Sequence, residues 1–232
     1  SVSVNVRSGS PMPPAIAPKR SGYVFGGYYD DKDGMGNAYF SNQMKSLETW
    51  DKGESTTLYA KWRDYYIIGD IGPAGGYIFY DKGSYNDGWR YLEAAHERNE
   101  FRNKMWGGPK TRIGDIGTAV GTGENNTEKI LAKFGKAEPY FNMPDYAAKV
   151  CADLAVVKDG IIYDDWFLPS KDELDWMYQS LKRNKLGGFA EEFYLSSSER
   201  DEMYAFYQRF NDGDQSFCTK EYKIRVRPIR AF

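Results

Sequence analysis

The pattern of the chain changes abruptly between Trp62 and Ile67, and that change limits the fold more than any other feature. Before it lie only short strand and turn signals. Beyond it, strand signals interleave with three helical periods. A chain of 232 residues is long enough for two domains of ordinary size. Residues 1–62 therefore read as one unit, residues 63–66 as a short polar-aromatic link, and residues 67–232 as a second. Both strands and helices are thus expected beyond Ile67.

In the first segment, Val2, Val4 and Val6 alternate with Ser3 and Asn5, the period of a strand. Pro11, Pro13, Pro14 and Pro18 then forbid a central strand. The aromatic run from Gly22 to Tyr29 is β-prone, Asp30, Asp31, Asp33 and Gly34 supply turn chemistry, and Thr56–Trp62 is a closing strand. The chain opens on this pattern without a signal-peptide signature, so its natural start is expected to have been removed.

In the second segment, Tyr77–Asp81 and Trp89–Ala94 read as strands. Residues 124–134 form a helical period with Ile130, Leu131 and Phe134 on one face. Residues 144–156 form another, with Pro144 near its first turn and Ala147, Val150, Cys151 and Leu154 as its stripe. The clearest helix follows Ser170-Lys171-Asp172-Glu173, a capping box in which the serine side chain serves the N–H of Glu173. Leu174, Met177, Tyr178 and Leu181 form its buried stripe, and Gly187-Gly188 is its expected stop. Three late strands are expected at 192–196, 205–210 and 224–229, with Asn211-Asp212-Gly213-Asp214 as a turn. The glycines between 117 and 123 lack the lysine ending and strand-turn-helix setting of a phosphate loop.

Charge and composition exclude several classes. A net charge of −2 does not suit a nucleic-acid binder, which needs a basic face. No apolar run is long enough to span a bilayer, so no membrane insertion is expected. Two cysteines, Cys151 and Cys218, make neither a disulfide scaffold nor a zinc site. The one histidine, His96, lies in a sequence without a nucleophile or ligand signature and reads as a surface residue. No cofactor and no metal are expected.

The run "SGYVFGGYYDDKDGMG" followed by "STTLYAKW" resembles the InlB B-repeat, or Listeria–Bacteroides repeat, over residues 2–62. That resemblance implies a small β-grasp-like module of bacterial surface proteins. The blocks "IGDIGPAGGYIFYDKG", "GWRYLEAA", "DYAAKVCADL", "DWFLPSKDELDWMY", "YLSSSE" and "RVRPIRAF" resemble, in order, the C-terminal domain of the Legionella collagen-like adhesin over 67–232. This implies the class α+β, with a C-type-lectin-like domain of helices around a twisted antiparallel sheet. It also implies an extracellular or cell-surface location and a protein or glycan ligand on another cell or host surface.

Residues 196–232 are similar to the variable region of target proteins of diversity-generating retroelements, in which a fixed frame alternates with rewritten positions. The matching frame is Ser196, Ser197, Ser198, Glu199, Ala205, Phe206, Gln208, Phe210, Gly213, Gln215, Lys220, Arg225, Val226, Arg227 and Pro228. The resemblance implies ligand contact at Arg200, Asp201, Met203, Tyr204, Tyr207, Arg209, Asp212, Asp214, Ser216, Phe217, Thr219, Glu221, Tyr222 and Lys223. After Gly213 these residues follow neither a strand nor a helix period. Exposed tyrosine and phenylalanine there would serve as low-entropy anchors. Phe206 and Phe210 are expected in the core, and Arg225 and Arg227 as tethers to carboxylates or carbonyls. The patch formed by Tyr204, Tyr207, Arg209, Phe217 and Tyr222 is expected to be contiguous and exposed.

The expected function is thus binding rather than catalysis. Two alternatives stay open. "FLPSKDELDWM" is similar to a block of formylglycine-generating enzymes, whose chemistry needs a reactive cysteine pair. A calcium-dependent glycan binder would draw oxygens from Asn211, Asp212 and Asp214, and from Asp164 and Asp165.

Overall fold

The computed structural model describes residues 3–20, 23–32, 34–135 and 145–232. Val2, Gly22, Asp33 and Pro144, which entered the readings above, lie outside them. The chain forms two compact units, Ser1–Ile71 and Gly72–Phe232. The division falls after the 63–66 stretch rather than at it, and Asp70 supplies the reason. This fully buried carboxylate takes both guanidinium nitrogens of Arg63, at 2.8 and 2.7 Å, and the N–H of Ile67.

The first unit carries an antiparallel sheet of β1 (Val24–Tyr29), β2 (Ala38–Phe40) and β3 (Tyr59–Arg63), in the order β2-β1-β3. Its core holds Met12, Tyr39, Phe40 and Trp50. Residues 3–7 form no strand, contrary to their alternation. The backbone that follows is instead fastened to Trp50, through Gly9 N–H to its carbonyl and its own N–H to Ser10.

The second unit begins with β4 (Tyr77–Asn86), β5 (Trp89–Ala94) and β6 (Phe101–Lys104). Helices α1 (Gly123–Phe134) and α2 (Ala147–Ala152) follow, then β7 (Val156–Lys158), β8 (Ile161–Tyr163) and α3 (Lys171–Ser180). The chain closes through β9 (Phe193–Glu199), β10 (Tyr204–Arg209), β11 (Gln215–Thr219), β12 (Ile224–Val226) and β13 (Ile229–Ala231). The protein is therefore α+β with sheet predominating. One sheet runs β11-β10-β9-β12-β6, a second β13-β5-β4, and β7-β8 is a separate hairpin.

The five-stranded sheet is covered on both faces. Tyr194 and Phe210 pack towards α3 with Leu174, Met177 and Tyr178. Leu195, Ala205 and Val226 pack towards α1 and α2 with Ile130, Phe134 and Cys151. Burial on both faces hides the period-2 pattern, so β9 is buried from Tyr194 to Ser198 without interruption.

The helix expected over 144–156 is cut short at Ala152, and Leu154 follows it. Asp159 (φ 55°) and Gly160 (φ 79°) form a tight left-handed turn that draws Val156–Lys158 into the β7–β8 hairpin. The α3 capping box is present, but the helix ends at Ser180, before Gly187-Gly188, with the reversal made at Lys185 (φ 58°). The strand expected over 224–229 is split between two sheets at Arg227-Pro228, since proline cannot donate to a ladder. Gln215–Thr219, expected as an irregular loop, is strand β11, paired residue for residue with β10. Among the described residues, no helix is long and apolar enough to cross a membrane.

Candidate ligand-binding surface

The region rests on β9, whose three serines are fully buried and hydrogen-bonded. The Ser196 hydroxyl donates to the Phe206 carbonyl at 2.9 Å and that of Ser198 to the Gly117 carbonyl at 2.8 Å. Ser197 Oγ accepts from Asn126 at 3.0 Å. A larger side chain would not fit at these positions, and alanine would strand their partners. Glu199 then accepts from the N–H groups of Ile113 and Gly114 and, at 2.7 Å, from the ammonium of Lys220.

Lys220 is fully buried in the turn after β11. Its ammonium also donates to the Thr111 carbonyl at 2.9 Å and lies 4.3 Å from the centre of the Trp106 ring. Burial pulls its pKa below the usual lysine value, with Glu199 opposing. The Lys220 carbonyl accepts from the N–H of Trp106, so the turn is fixed at both ends of the residue.

The β10–β11 hairpin is locked to α3 by glutamines. Gln208 donates to Asp175 at 2.6 Å and Gln215 to the Lys171 carbonyl at 2.8 Å. Gly213, at φ 86°, is required twice over: a Cβ there would also fall 2.3 Å from the Tyr178 ring. Arg225 and Arg227 converge on one carboxylate, Glu100, at 2.5 and 2.6 Å. Burial pushes Glu100 up, yet Arg227, the Tyr194 hydroxyl and Arg225 together hold it below its ordinary value. Arg227 also donates to the carbonyls of Ala95 and Gly187.

Against this frame, none of the fourteen expected contact residues is buried. Arg200, Asp212, Asp214, Phe217, Thr219, Glu221, Tyr222 and Lys223 are exposed. Asp201, Met203, Tyr204, Tyr207, Arg209 and Ser216 are half-buried. Not all of them are idle. Asp201 accepts from the N–H groups of Met203 and Tyr204 and so shapes the turn into β10. Arg209 pairs with Asp212 at 2.8 Å and Asp214 at 3.4 Å, closing the tip of the hairpin.

The surface is two-sided rather than one patch, because successive side chains on a strand point to opposite faces. Tyr204 meets Phe217 edge-to-face at 5.4 Å, and the guanidinium of Arg200 lies 3.7 Å from the centre of the Phe217 ring. On the opposite face, Tyr207 meets Phe193 at 5.2 Å, with Arg209 on the same side of β10. Tyr222 stands in the turn after β11, 54 % exposed. Phe206, expected in the core, is only half-buried. It points to the α3 side but lies opposite the helix start, with Lys171 Nζ 5.8 Å from its ring, whereas Phe210 lies under Tyr178. Phe193 belongs to this surface but was not anticipated; it sits at the end of β9 where its aromatic partner is set only by register.

Several of the residues considered for other chemistry are engaged within the fold. His96 is half-buried rather than on the surface; its Nδ1 accepts from Arg98 N–H at 3.3 Å, and burial lowers its pKa. Both cysteines are free. Burial pushes the Cys151 thiol well up and that of Cys218 up to about 11. Asp165 is clamped by Arg230 through two bonds of 2.7 Å. The N–H of Gly117 is taken by Asn126 and that of Gly121 by Glu173. An open cleft of about 380 Å³ is lined by Glu97, Arg98, Glu100, Arg102, Phe189 and Arg225. No family model and no curated protein matches the chain.

Proposed function

We propose that this chain is a non-enzymatic ligand-binding protein of the cell surface or extracellular space. In this reading the second unit is a C-type-lectin-like scaffold that presents changeable side chains from a fixed frame, as the variable proteins of diversity-generating retroelements do. The first unit, a β-grasp-like module resembling the InlB B-repeat, acts as a spacer. The ligand is a protein or glycan on another cell or host surface.

One observation carries the reading. Between residues 196 and 228, ten of the fifteen frame positions are buried and the other five half-buried, while none of the fourteen expected contact positions is buried and eight are exposed. Phe217 at 40 % and Tyr222 at 54 % exposure are the kind of anchors that a partner covers. The raised thiols weigh against a formylglycine-generating activity, since the thiolate is the reactive form. The pairing of Asp212 and Asp214 with Arg209, and of Asp165 with Arg230, weighs against calcium at those oxygens.

A displayed library tests this reading. The fourteen contact positions are randomised in the full chain and selected on one immobilised globular protein of known structure. Most members should remain folded, and binders should arise whose substitutions at these positions decide affinity. A library that largely fails to fold, or binders that ignore these positions, would overturn the reading. The genome offers an independent check: a neighbouring reverse-transcriptase gene and a near-copy of the coding stretch for 196–232, differing at adenines.

A further inference from the structure

The hairpin that carries these side chains also has an open main-chain edge. In the β10–β11 ladder, Arg209 N–H bonds to the Asp214 carbonyl and Lys220 N–H to the Met203 carbonyl. These bonds make Tyr204–Thr219, Phe206–Phe217 and Gln208–Gln215 the non-bonded pairs of the antiparallel register. The main-chain groups of Ser216 and Cys218 therefore face β10, and those of Gln215, Phe217 and Thr219 face away from it. β11 is the last strand of its sheet. The Thr219 carbonyl is used by Tyr222 N–H. The N–H groups of Gln215, Phe217 and Thr219, and the carbonyls of Gln215 and Phe217, meet no partner among the described residues.

Proteins commonly guard such edges with lysine, proline or a bulge. The opposite edge of this sheet is guarded in that way: β6 carries Arg102 and Lys104, Asn103 has φ 56°, and its register is broken. β11, Gln-Ser-Phe-Cys-Thr, is uncharged, free of proline and in unbroken register with β10. Its free groups recur about every 7 Å, the spacing at which an extended main chain offers its own donors and acceptors.

We propose that the partner adds an extended polypeptide strand to β11, with a carboxylate side chain on the face of Arg200 and Phe217. This deepens the ligand-binding reading and rests on it for the location of the partner. The charge follows from Arg200, which is exposed, stacked on Phe217 and without an ion pair among the described residues. A second copy of this chain fits less well. Antiparallel pairing of two β11 edges about Phe217 would set two Arg200 groups beside the same pair of rings, and β11 has no acid to answer them.

The test uses the isotope-labelled full chain and synthetic seven-residue peptides of alternating threonine and valine with a central glutamate. Titration should move the amide signals of Gln215, Phe217 and Thr219 and slow their exchange at least tenfold. A central lysine should weaken binding at least fivefold, and Arg200→Glu should reverse that preference. Methylating the peptide nitrogens that face β11 should abolish binding, while methylating the alternate set should not. Failure to bind at millimolar peptide, indifference to methylation, or indifference to the glutamate–lysine exchange would overturn the proposal. So would protection of the same amides by self-association without peptide, which would identify the occupant as a second copy. The library selection does not depend on this edge, so binders whose footprint spares the β11 amides would leave the side-chain surface standing while this inference falls.

Discussion

Lys220 and Tyr222 stand two positions apart and answer to different physics. Lys220 Nζ is sealed between Glu199, the Thr111 carbonyl and the Trp106 ring. Breaking a buried pair by removing one partner costs about 3–5 kcal/mol. Lys220→Ala should therefore lose that much in urea unfolding, whereas Tyr222→Ala, at an exposed site, should stay within about 0.5 kcal/mol of the parent. Equal losses would place Tyr222 in the frame. The sequence pointed to both roles only through resemblance, because a lysine carries no sign of burial until its carboxylate partner is known. Phe206 shows the converse: an aromatic residue in a strand reads as core, and only the start of α3 at Lys171 explains why it is half open.

Elements differ in how openly their residues announce them. The α3 capping box was legible because Ser170 and Glu173 interact over three residues. β11 was not legible, since Ser216 and Cys218 line one face and Gln215, Phe217 and Thr219 the other, with no contrast in polarity between them. The β7–β8 hairpin had a readable signal in Asp159-Gly160, but the helical stripe that precedes it masked the turn. Glu173 also gives α3 a pH dependence. Burial raises its pKa from 4.5 to about 7, against the N–H groups of Ser170 and Gly121. With the folded value above the unfolded one, its stabilising contribution is complete below about pH 4.5. That contribution is lost as pH rises through about 7, a difference of roughly 3 kcal/mol. Glu173→Gln, which can still serve the capping box, should flatten that slope in denaturation measured from pH 4.5 to 8. An unchanged slope would assign the titration to another group.

At the scale of the molecule, the change of pattern near residue 62 was visible in the sequence. The position of the division was not, because it depends on Asp70 reaching back to Arg63. Each unit has its own core: Met12, Tyr39, Phe40 and Trp50 in one, and the layers on either side of the five-stranded sheet in the other. Residues 72–232 expressed alone should accordingly unfold in one cooperative transition, coincident by near- and far-ultraviolet circular dichroism. Loss of near-ultraviolet signal in that fragment would show that its packing depends on the first unit.

A saturation scan of residues 196–228, read by protease resistance of the displayed full chain, tests the division between frame and surface most directly. Most substitutions at Arg200, Tyr204, Phe217, Thr219, Glu221 and Tyr222 should leave resistance intact. Few should survive at Ser196, Ser197, Ser198, Gln208, Phe210, Lys220 and Arg227. Equal tolerance at the two sets, or a reversed order, would contradict the account.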